Sequence, residues 1–335
     1  MKPPRQILKS VRRYSKHVAW VGLLVLFVPY VVSRIASPMR QIVIHDLEAS
    51  NTPTAHLTNQ TLRIVTYNIA HGRGESDSNW TGETLRQRSD RFDDIAALLT
   101  EIDADIVVLN EADFDTSWSD HVDQALYLAN QAGYRYVVEQ RNLDFRILGW
   151  TWRFGNAVLS KHPISDTQVI DLPGYAAWET VLAGKKRAID CNIQFNSNQS
   201  FRLIAAHLSP RSEHLRVDSM DKIIRLATQS KTPVIIAGDL NAAPPGFSHW
   251  QSDVQNRNAI NQLDASKLFQ RLPLQDKEAG TKTYPAHDPD RVIDWIVVSN
   301  DWPILSYQVI PSTLSDHRPV VAEVAPSYQD NSTRP

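Results

Sequence analysis

The stretch Thr232–Asn241, TPVIIAGDLN, indicates the class of fold. Its apolar run Pro233–Ala237 has no polar residue at alternate positions, which is typical of strands buried on both faces in layered α/β domains. The run ends in Gly238-Asp239-Leu240-Asn241, and the side chains of Asp239 and Asn241 are able to take part in catalysis. The stretch therefore predicts an α/β fold whose strands end at chemically useful residues.

The same pattern of a short apolar run beside a polar residue recurs along the chain. Helical patterns lie between the runs, at Thr84–Thr100, Asp120–Ala132 and Glu213–Ser230. Strand, helix and strand follow one another twice, from LRIVTYN to ADIVVLNE and from FRLIAAH to TPVIIAGDLN, which predicts two pseudo-symmetric halves with a site between them. The other runs are Leu62–Tyr67 before Asn68, Asp105–Leu109 before Asn110 and Glu111, Phe201–Ala206 before His207, Arg291–Ser299 with Asp294 inside it, and Pro319–Val324 after Asp316 and His317.

The composition fits one large globular domain or two small ones. Of the 335 residues, 42% are apolar, and the single cysteine, Cys191, excludes an intrachain disulfide framework and a cysteine-based zinc site. Residues 61–325 carry 26 Lys and Arg against 34 Asp and Glu, a net charge of −8. Non-specific nucleic-acid binders usually show the opposite balance, so this charge disfavours a nuclease, although a local basic strip stays compatible with it.

The amino-terminal segment predicts a membrane anchor. Six Lys and Arg residues precede the apolar run Val18–Val32, which is longer than most signal-peptide cores and shorter than a full membrane span. We favour an uncleaved signal anchor over a cleaved signal peptide or a buried helix, and the charge asymmetry places the amino terminus in the cytoplasm and the rest in the periplasm or outside the cell. The division is a basic segment at 1–17, a signal anchor or transmembrane helix at 18–35, a linker at 36–60, a catalytic domain at 61–325 and a tail at 326–335.

The polar residues beside the strands have two interpretations. Asp, Asn and His at strand ends often form turns or cap helices, and each residue alone fits that role. Six such endings together favour chemistry, because carboxylate and amide oxygens suit Mg²⁺, Mn²⁺ or Ca²⁺, and imidazoles transfer protons near neutral pH. The candidates are the oxygen donors Asn68, Glu111, Asp239, Asn241 and Asp316, and the imidazoles of His207 and His317.

With these residues in place, the sequence resembles the endonuclease/exonuclease/phosphatase superfamily, which has the deoxyribonuclease-I-like fold. The resemblance runs from Thr66 to Val324 and implies a four-layered α/β sandwich and a divalent-metal-dependent phosphoric ester hydrolase. The matching pieces are TYNIAHG at Thr66–Gly72, VVLNEAD at Val107–Asp113, FGNAVLSKHPI at Phe154–Ile164, KKRA at Lys185–Ala188, AAHLSP at Ala205–Pro210, AGDLNAAP at Ala237–Pro244, VIDWIVVS at Val292–Ser299 and LSDHRPVVAEV at Leu314–Val324.

The resemblance also implies roles for single residues. Metal ligation falls to Glu111, helped by Asn68 and Asp316. Asp239 and Asn241 would orient the attacking water and the phosphate. Arg187 would contact the phosphate, and Asn156 would support the phosphate pocket. His317 would act on the nucleophile or a phosphate oxygen with its tautomer fixed by Asp294, and His207 would donate to the phosphate or the leaving oxygen.

Three further polar residues lie close in sequence to Asn68 and Glu111. Asn110 stands where the family usually has Gln, one methylene longer. His71 and Arg73 follow Asn68 in a motif of the form NIxHGxG, and they either line the pocket or lie in a solvated loop.

The substrate is not determined by these residues, because the superfamily acts on nucleic acids, phosphoinositides, sphingomyelin and nucleotides. The segments that would determine the substrate are the two variable ones, Arg141–Phe154 and Asp171–Lys186. In the first, arginines alternate with Phe and Trp, a mixture that stacks on bases, lies at a lipid headgroup interface or packs beneath the loop. The anchor, the acidic domain and this loop favour a lipid or small phosphodiester. An extracytoplasmic nuclease is the second reading and a non-catalytic phosphoester-binding module the third, and no protein partner is expected.

Overall fold

The computed structural model describes residues 4–36, 41–47, 61–79, 83–147, 149–176, 184–196, 199–277 and 280–326. Its helices are α1 (Pro4–Ala36), α2 (Leu85–Ile102), α3 (Gln124–Ala132), α4 (Glu213–Thr228) and α5 (Ala259–Ala265). Its strands are β1 (Ile42–Asp46), β2 (Leu62–Asn68), β3 (Ile106–Asp113), β4 (Tyr136–Ile147), β5 (Trp150–Ser160), β6 (Ile164–Asp171), β7 (Arg187–Gln194), β8 (Ser200–Ala206), β9 (Val234–Asp239), β10 (Phe269–Arg271), β11 (Asp294–Ser299), β12 (Ile304–Val309) and β13 (Val320–Val324).

The strands form two mixed sheets. One has the order β1-β4-β5-β3-β2-β13-β12 and the other the order β10-β11-β9-β8-β7-β6. Each sheet contains one parallel pair joined through a helix, β2 with β3 through α2 and β8 with β9 through α4. These are the two strand–helix–strand repeats expected from the sequence, and each repeat builds the centre of one sheet.

Three apolar clusters hold the layers together. One packs α2 and α3 against the first sheet, one fills the space between the sheets, and one packs α4 and α5 against the second sheet. Side chains of β2 alternate between two of these clusters, because Ile64 faces the other sheet while Val65 and Tyr67 face the helices. The α/β sandwich predicted from the sequence is confirmed, and the central strands β2, β3, β8 and β9 are buried on both faces as their continuous apolar runs indicated.

Helix α2 shows how local sequence determines an element. Thr84 caps its amino terminus: the Thr84 side chain accepts a hydrogen bond from Gln87 N, and the Gln87 side chain accepts one from Thr84 N at 2.9 Å. This reciprocal pair satisfies backbone donors that have no partner within the helix. Phe92, Ile95 and Leu99 recur at helical spacing and enter the first apolar cluster. The helix therefore fixes the connection that leads from β2 to β3.

One strand lies inside the segment assigned to the linker. Ile42–Asp46 forms β1, which pairs antiparallel with β4 from Ile42 opposite Gln140 to Asp46 opposite Tyr136. This strand was not predicted, because five residues with exposed or half-buried side chains give only a weak strand pattern. Residues 37–40 and 48–60 of the predicted linker, and most of the predicted tail, lie outside the described residues.

Helix α1 contains the apolar run predicted as an anchor. Within the described residues it is the one helix long and apolar enough to cross a membrane, with a 20-residue window, Arg13–Val32, of mean hydropathy 1.6 and no part buried in the protein. Length and composition of this kind are compatible with a membrane anchor or a signal sequence. They do not determine which side of a membrane the domain occupies.

Candidate active site

The two sheets bring their polar strand ends to one place. Asn68 ends β2, Glu111 lies in β3, Asp239 ends β9 and Asp294 begins β11. A cavity of about 520 Å³ opens there between the halves. Of the residues predicted for the site, its lining includes Glu111, His207, Asp239, Asn241, Asp316 and His317.

Asp239 is the centre of the buried cluster. Its Oδ2 accepts a hydrogen bond from Asn68 Nδ2 at 3.0 Å and lies 3.5 Å from His207 Nε2 and 3.8 Å from His317 Nε2. Burial raises the pKa of Asp239, the positive charge of His317 opposes that effect, and the neighbouring Asp294 reinforces it. A carboxylate in this position can accept a proton near neutral pH, as a general base must.

Asn241 is held on the same turn. Its backbone N–H donates to Asp239 Oδ1 at 2.9 Å, and its side-chain amide donates to the Leu208 carbonyl at 3.2 Å. The residue has a φ of +50°, a conformation in the left-handed region that Asn tolerates better than most residues. The GDLN turn therefore points Asp239 and Asn241 into the cavity together.

His317 is oriented from behind by Asp294. Its Nδ1 lies 2.9 Å from Asp294 Oδ2, and the Tyr284 ring packs against it with 4.7 Å between ring centroids. Burial lowers the pKa of His317, but the carboxylates of Asp294 and Asp239 outweigh it and raise the value to about 10. His317 therefore presents a protonated Nε2 to the cavity in the absence of a bound cation.

His207 has the opposite electrostatic environment. Burial lowers its pKa well below the usual value, and the Lys186 ammonium, 3.2 Å from Nε2, lowers it further. The two histidines of the site therefore differ in charge, because burial and Lys186 outweigh the neighbouring carboxylates at His207, whereas carboxylates outweigh burial at His317. Pairs of titratable groups whose environments separate their pKa values are typical of acid–base sites.

Glu111 and Asp316 face each other across the guanidinium of Arg73. Arg73 donates to Glu111 Oε2 at 3.3 Å and to Asp316 Oδ2 at 3.0 Å. Burial raises the pKa of Glu111, but His71, His207 and Arg73 together bring it below its ordinary range. Glu111 has a φ of +51° at a register shift between Leu109 and Ala112, and a bulge of this kind redirects a side chain beside an active site.

His71 is part of the site rather than of a solvated loop. Its Nδ1 lies 2.7 Å from Asp113 Oδ1 and its Nε2 lies 3.5 Å from Glu111 Oε2. The Phe154 ring packs edge-on against it. Burial lowers the pKa of His71, but Asp113 raises it overall, so the imidazole adds positive charge behind Glu111.

Of the two residues predicted for the phosphate pocket, Arg187 lies away from the cavity lining and Asn156 lies beneath the site. The Arg187 guanidinium donates to Asp171 Oδ1 and to the carbonyls of Arg141 and Asn142, away from the cavity lining. Asn156 is buried and bonds Asn110, Gln140 and the Arg187 carbonyl. The structure brings Lys186 towards His207 instead. The KKRA motif carried this signal, but Lys186 lies in the loop just before β7, so which of these cations faces the site depends on the path of that loop.

Asn110 joins the two halves beneath the site. Its Oδ1 accepts from the Asp239 backbone N–H at 2.8 Å, and its Nδ2 donates to Asn156 Oδ1 at 2.8 Å. Asn110 lies in the first sheet and Asp239 in the second, so this amide fixes the separation of the two strand ends. The shorter Asn, in place of the Gln usual in the family, reaches both partners.

The donor set suits a divalent cation. Glu111 and Asp316 already share one positive group, Arg73, so the space between them is electrostatically suited to a cation. Asp239, Asp294 and His317 form a second, buried group of possible ligands, whose ligand atoms all lie within 4.8 Å of one another. Because His317 and Asp294 already bond each other there, the Glu111 and Asp316 carboxylates are the better fit for a hard cation. Asn68 directs its amide N–H to Asp239, and its oxygen accepts from Ala70 N.

The sequence profile of the Endonuclease/Exonuclease/phosphatase family matches residues 65–317. The chain belongs to this family. Its members are generally hydrolytic phosphoesterases, and they are typically dependent on a divalent metal. No curated protein matches the sequence significantly.

Solved structures share the family fold at low sequence identity. An endonuclease/exonuclease/phosphatase from Beutenbergia cavernae has a TM-score of 0.57 and 21% identity, with 80% of this chain and 72% of that one covered. A mannosyl-6-phosphatase from Bacteroides thetaiotaomicron has a TM-score of 0.56 and 16% identity, with coverage of 78% and 99%. The human Nocturnin catalytic domain with bound sulfate has a TM-score of 0.56 and 18% identity, with coverage of 85% and 97%. At these identities the likeness describes the fold alone.

Proposed function

We propose that this family member is a metal-dependent phosphodiesterase acting on a lipid or other small phosphodiester at the outer face of a membrane. The observation that carries the chemistry is the buried cluster around Asp239, in which one carboxylate lies between two histidines of different charge. A cavity of about 520 Å³ is large enough for a phosphate with a headgroup-sized substituent.

In this scheme each side chain has one task. Asp239 accepts the proton of the attacking water, which Asn241 helps to orient. His317, held by Asp294, donates a hydrogen bond from Nε2 to a phosphoryl oxygen, and the neutral imidazole of His207 donates a hydrogen bond to the phosphate or the leaving oxygen. Preorganised donors of this kind stabilise charge in the transition state without reorganisation.

Glu111 and Asp316, with Asn68 nearby, would hold the cation, for which Mg²⁺ is the first choice and Mn²⁺ or Ca²⁺ the alternatives. When bound, it neutralises charge on the phosphoryl oxygens. Arg73 would then share the same carboxylates with the cation or turn towards the phosphate.

Two observations support a membrane substrate over nucleic acid. Helix α1 carries an apolar window of membrane-spanning length after a basic segment, which favours an extracytoplasmic domain. Two of the arginines proposed for base stacking form ion pairs instead: Arg141 with Glu139 and Asp144, and Arg153 with Asp144 and Asp115. They neutralise the protein's own carboxylates rather than forming a basic strip.

The test compares substrates with the full chain reconstituted in lipid nanodiscs. Phospholipid vesicles and plasmid DNA are offered separately with Mg²⁺, and released phosphate-containing products and nicked DNA are measured. The expected result is lipid hydrolysis that chelation abolishes and that Asp239→Asn removes. Asp301→Asn, a change at an exposed carboxylate, is the matched control. Nicked DNA with intact lipid would favour the nuclease, and binding without turnover under several metals would favour a non-catalytic module.

A further inference from the structure

We propose that the tip of the β4–β5 hairpin is a second membrane contact, which lies in the lipid headgroup layer beside the outer end of α1. This inference rests on the membrane anchoring in the proposed function and adds a surface to it. This surface, the hairpin tip, consists of Phe145, Arg146, Trp150 and Trp152.

The hairpin projects beyond the sheet that it belongs to. Strands β4 and β5 have 12 and 11 residues, and β3 accompanies β5 as far as Phe154, which pairs with Asp113. From Asp144 opposite Arg153 to Ile147 opposite Trp150, no third strand of the described residues lies beside the two, although the Phe114 backbone N–H still donates to the Arg153 carbonyl. Trp150 at the end is 49% exposed, and Arg146 is exposed beside it. A tryptophan and an arginine held out on a paired hairpin form a surface suited to an interface that is part apolar and part charged.

The contact with α1 indicates what covers this surface. The Phe145 ring lies 6.3 Å from the Tyr30 ring, centroid to centroid. Tyr30 is two residues from the end of the apolar window Arg13–Val32, so in an anchored chain it lies near the boundary between hydrocarbon and water. Phe145 therefore lies at the same depth. Tyr and Trp are the residues enriched at that boundary, and a nearby arginine is attracted to lipid phosphates.

The hairpin tip is also braced against the active site. Phe145 stacks on Trp152 with 5.9 Å between centroids, and Trp152 contacts Trp118 at 6.3 Å. Trp118 contacts the ring of His71 edge-on at 6.1 Å, and His71 lies beside Glu111. Packed aromatic rings are rigid spacers, so a membrane contact at the tip fixes the height of the catalytic cavity above the lipid surface.

The experiment measures membrane depth in the full chain, independently of activity. Trp150→Cys, Trp20→Cys and Val254→Cys are each labelled with a fluorophore in nanodiscs that contain lipid with a nitroxide near the glycerol or in mid-chain. Position 20 lies in the apolar window, and Val254 is 93% exposed on the catalytic domain. Cys191 is buried, so the parent chain should take up no label.

The expected result is quenching at position 150 by the shallow nitroxide, at position 20 most strongly by the mid-chain nitroxide, and at position 254 by neither. Dissolved iodide reports exposure to water. If iodide quenches the labels at positions 150 and 254 equally while lipid nitroxides still quench position 20, the hairpin contact is overturned and the anchor stands. If lipid nitroxides quench position 150 but not position 20, the anchor is overturned and the hairpin contact stands. If they quench neither position, both proposals are overturned.

Discussion

At the scale of single residues, the chemistry depends on groups that touch Asp239. His207, Asn241, Asp294 and His317 could be selected from the sequence because each stands beside a recognisable strand. The positions of Lys186 and Arg73 could not be selected in this way. Both lie in loops, and whether a loop cation faces a pocket depends on turn geometry and pleat rather than on residue type.

Replacement of His317 should remove catalysis and leave the fold intact. We expect His317→Ala to lower the turnover number by a factor of roughly 10²–10³, because it deletes one preorganised donor from the cavity. Steady-state hydrolysis and circular dichroism measure the two effects. His214→Ala is the control, since His214 is half exposed on α4. Near-normal turnover in purified His317→Ala would contradict the assignment.

Replacement of Arg73 should tighten metal binding. The Arg73 guanidinium bridges Glu111 and Asp316, so its removal leaves both carboxylates without the positive group that pairs with them and competes with the metal. We expect Arg73→Gln to lower the dissociation constant for Mn²⁺ by a factor of about five, equivalent to roughly 1 kcal/mol. Titration followed by electron paramagnetic resonance measures this directly. Arg291→Gln serves as the control, because Arg291 lines the same cavity but pairs with Asp290. Unchanged affinity in Arg73→Gln would show that the metal binds elsewhere.

At the scale of elements, the sequence predicted the central strands and helices to within a few residues. Continuous apolar runs and helical spacing are strong signals there, since these elements are buried in the apolar clusters. It predicted no strand at β1, β4–β7, β10 or β12, and the segment Arg141–Phe154, interpreted as a loop, forms parts of β4 and β5 instead. Edge strands and projecting hairpins bury little apolar surface, so their sequences carry a weak pattern.

Strand β1 should be held more firmly at mildly acid pH. His45 Nε2 lies 2.8 Å from Glu139 Oε1, and this hydrogen bond outweighs burial and raises the pKa of His45. Burial and Glu139 raise the pKa of Asp123 nearby, while Arg141 lies on the other side of Glu139. A raised pKa gives stability that is present below the unfolded value and lost as pH rises through the folded one. The pKa of Glu139 is lowered, because His45 and Arg141 outweigh burial, so its contribution is lost at lower pH.

The pH range in which the pair of His45 and Glu139 stabilises β1 lies between the ordinary pKa of Glu and the raised pKa of His45. We expect hydrogen-exchange protection factors of Ile42–Asp46, corrected for intrinsic rates, to be higher at mildly acid pH and to fall as the solution becomes alkaline. His45→Gln should remove most of that dependence. Equal protection throughout this range in the parent chain would contradict the role of the pair.

At the scale of the whole molecule, the site exists only where the two halves meet. The sequence repeats predicted a site between similar halves, but the connection that sets their spacing is a side chain. Asn110 bonds the Asp239 backbone and Asn156 at the same time. The sequence shows only that Asn replaces the usual Gln, and a residue type does not indicate how far apart the two strand ends lie in the folded protein.

Removal of that bridge should destabilise the whole fold. Asn110→Ala removes the partner of the buried Asp239 backbone N–H and of the buried Asn156 Oδ1, which costs about 1–3 kcal/mol for each group left unsatisfied. We expect a lower midpoint of urea unfolding and reduced turnover in the folded fraction. Asn300→Ala is a suitable control, because Asn300 bonds only near the surface. A variant as stable as the parent chain would show that the halves are spaced by apolar packing alone.

The pairing of β1 with β4 shortens the covalent connection between α1 and the catalytic domain. Only five residues, 37–41, separate Ala36 from Ile42, a reach of at most about 20 Å, against roughly 80 Å for the whole segment 36–60 fully extended. With α1 in a membrane, so short a connection keeps the catalytic domain close to the bilayer surface. Encounter would then depend on the surface density and lateral diffusion of the substrate, so dilution of the substrate within the bilayer should slow turnover even when its total concentration is constant.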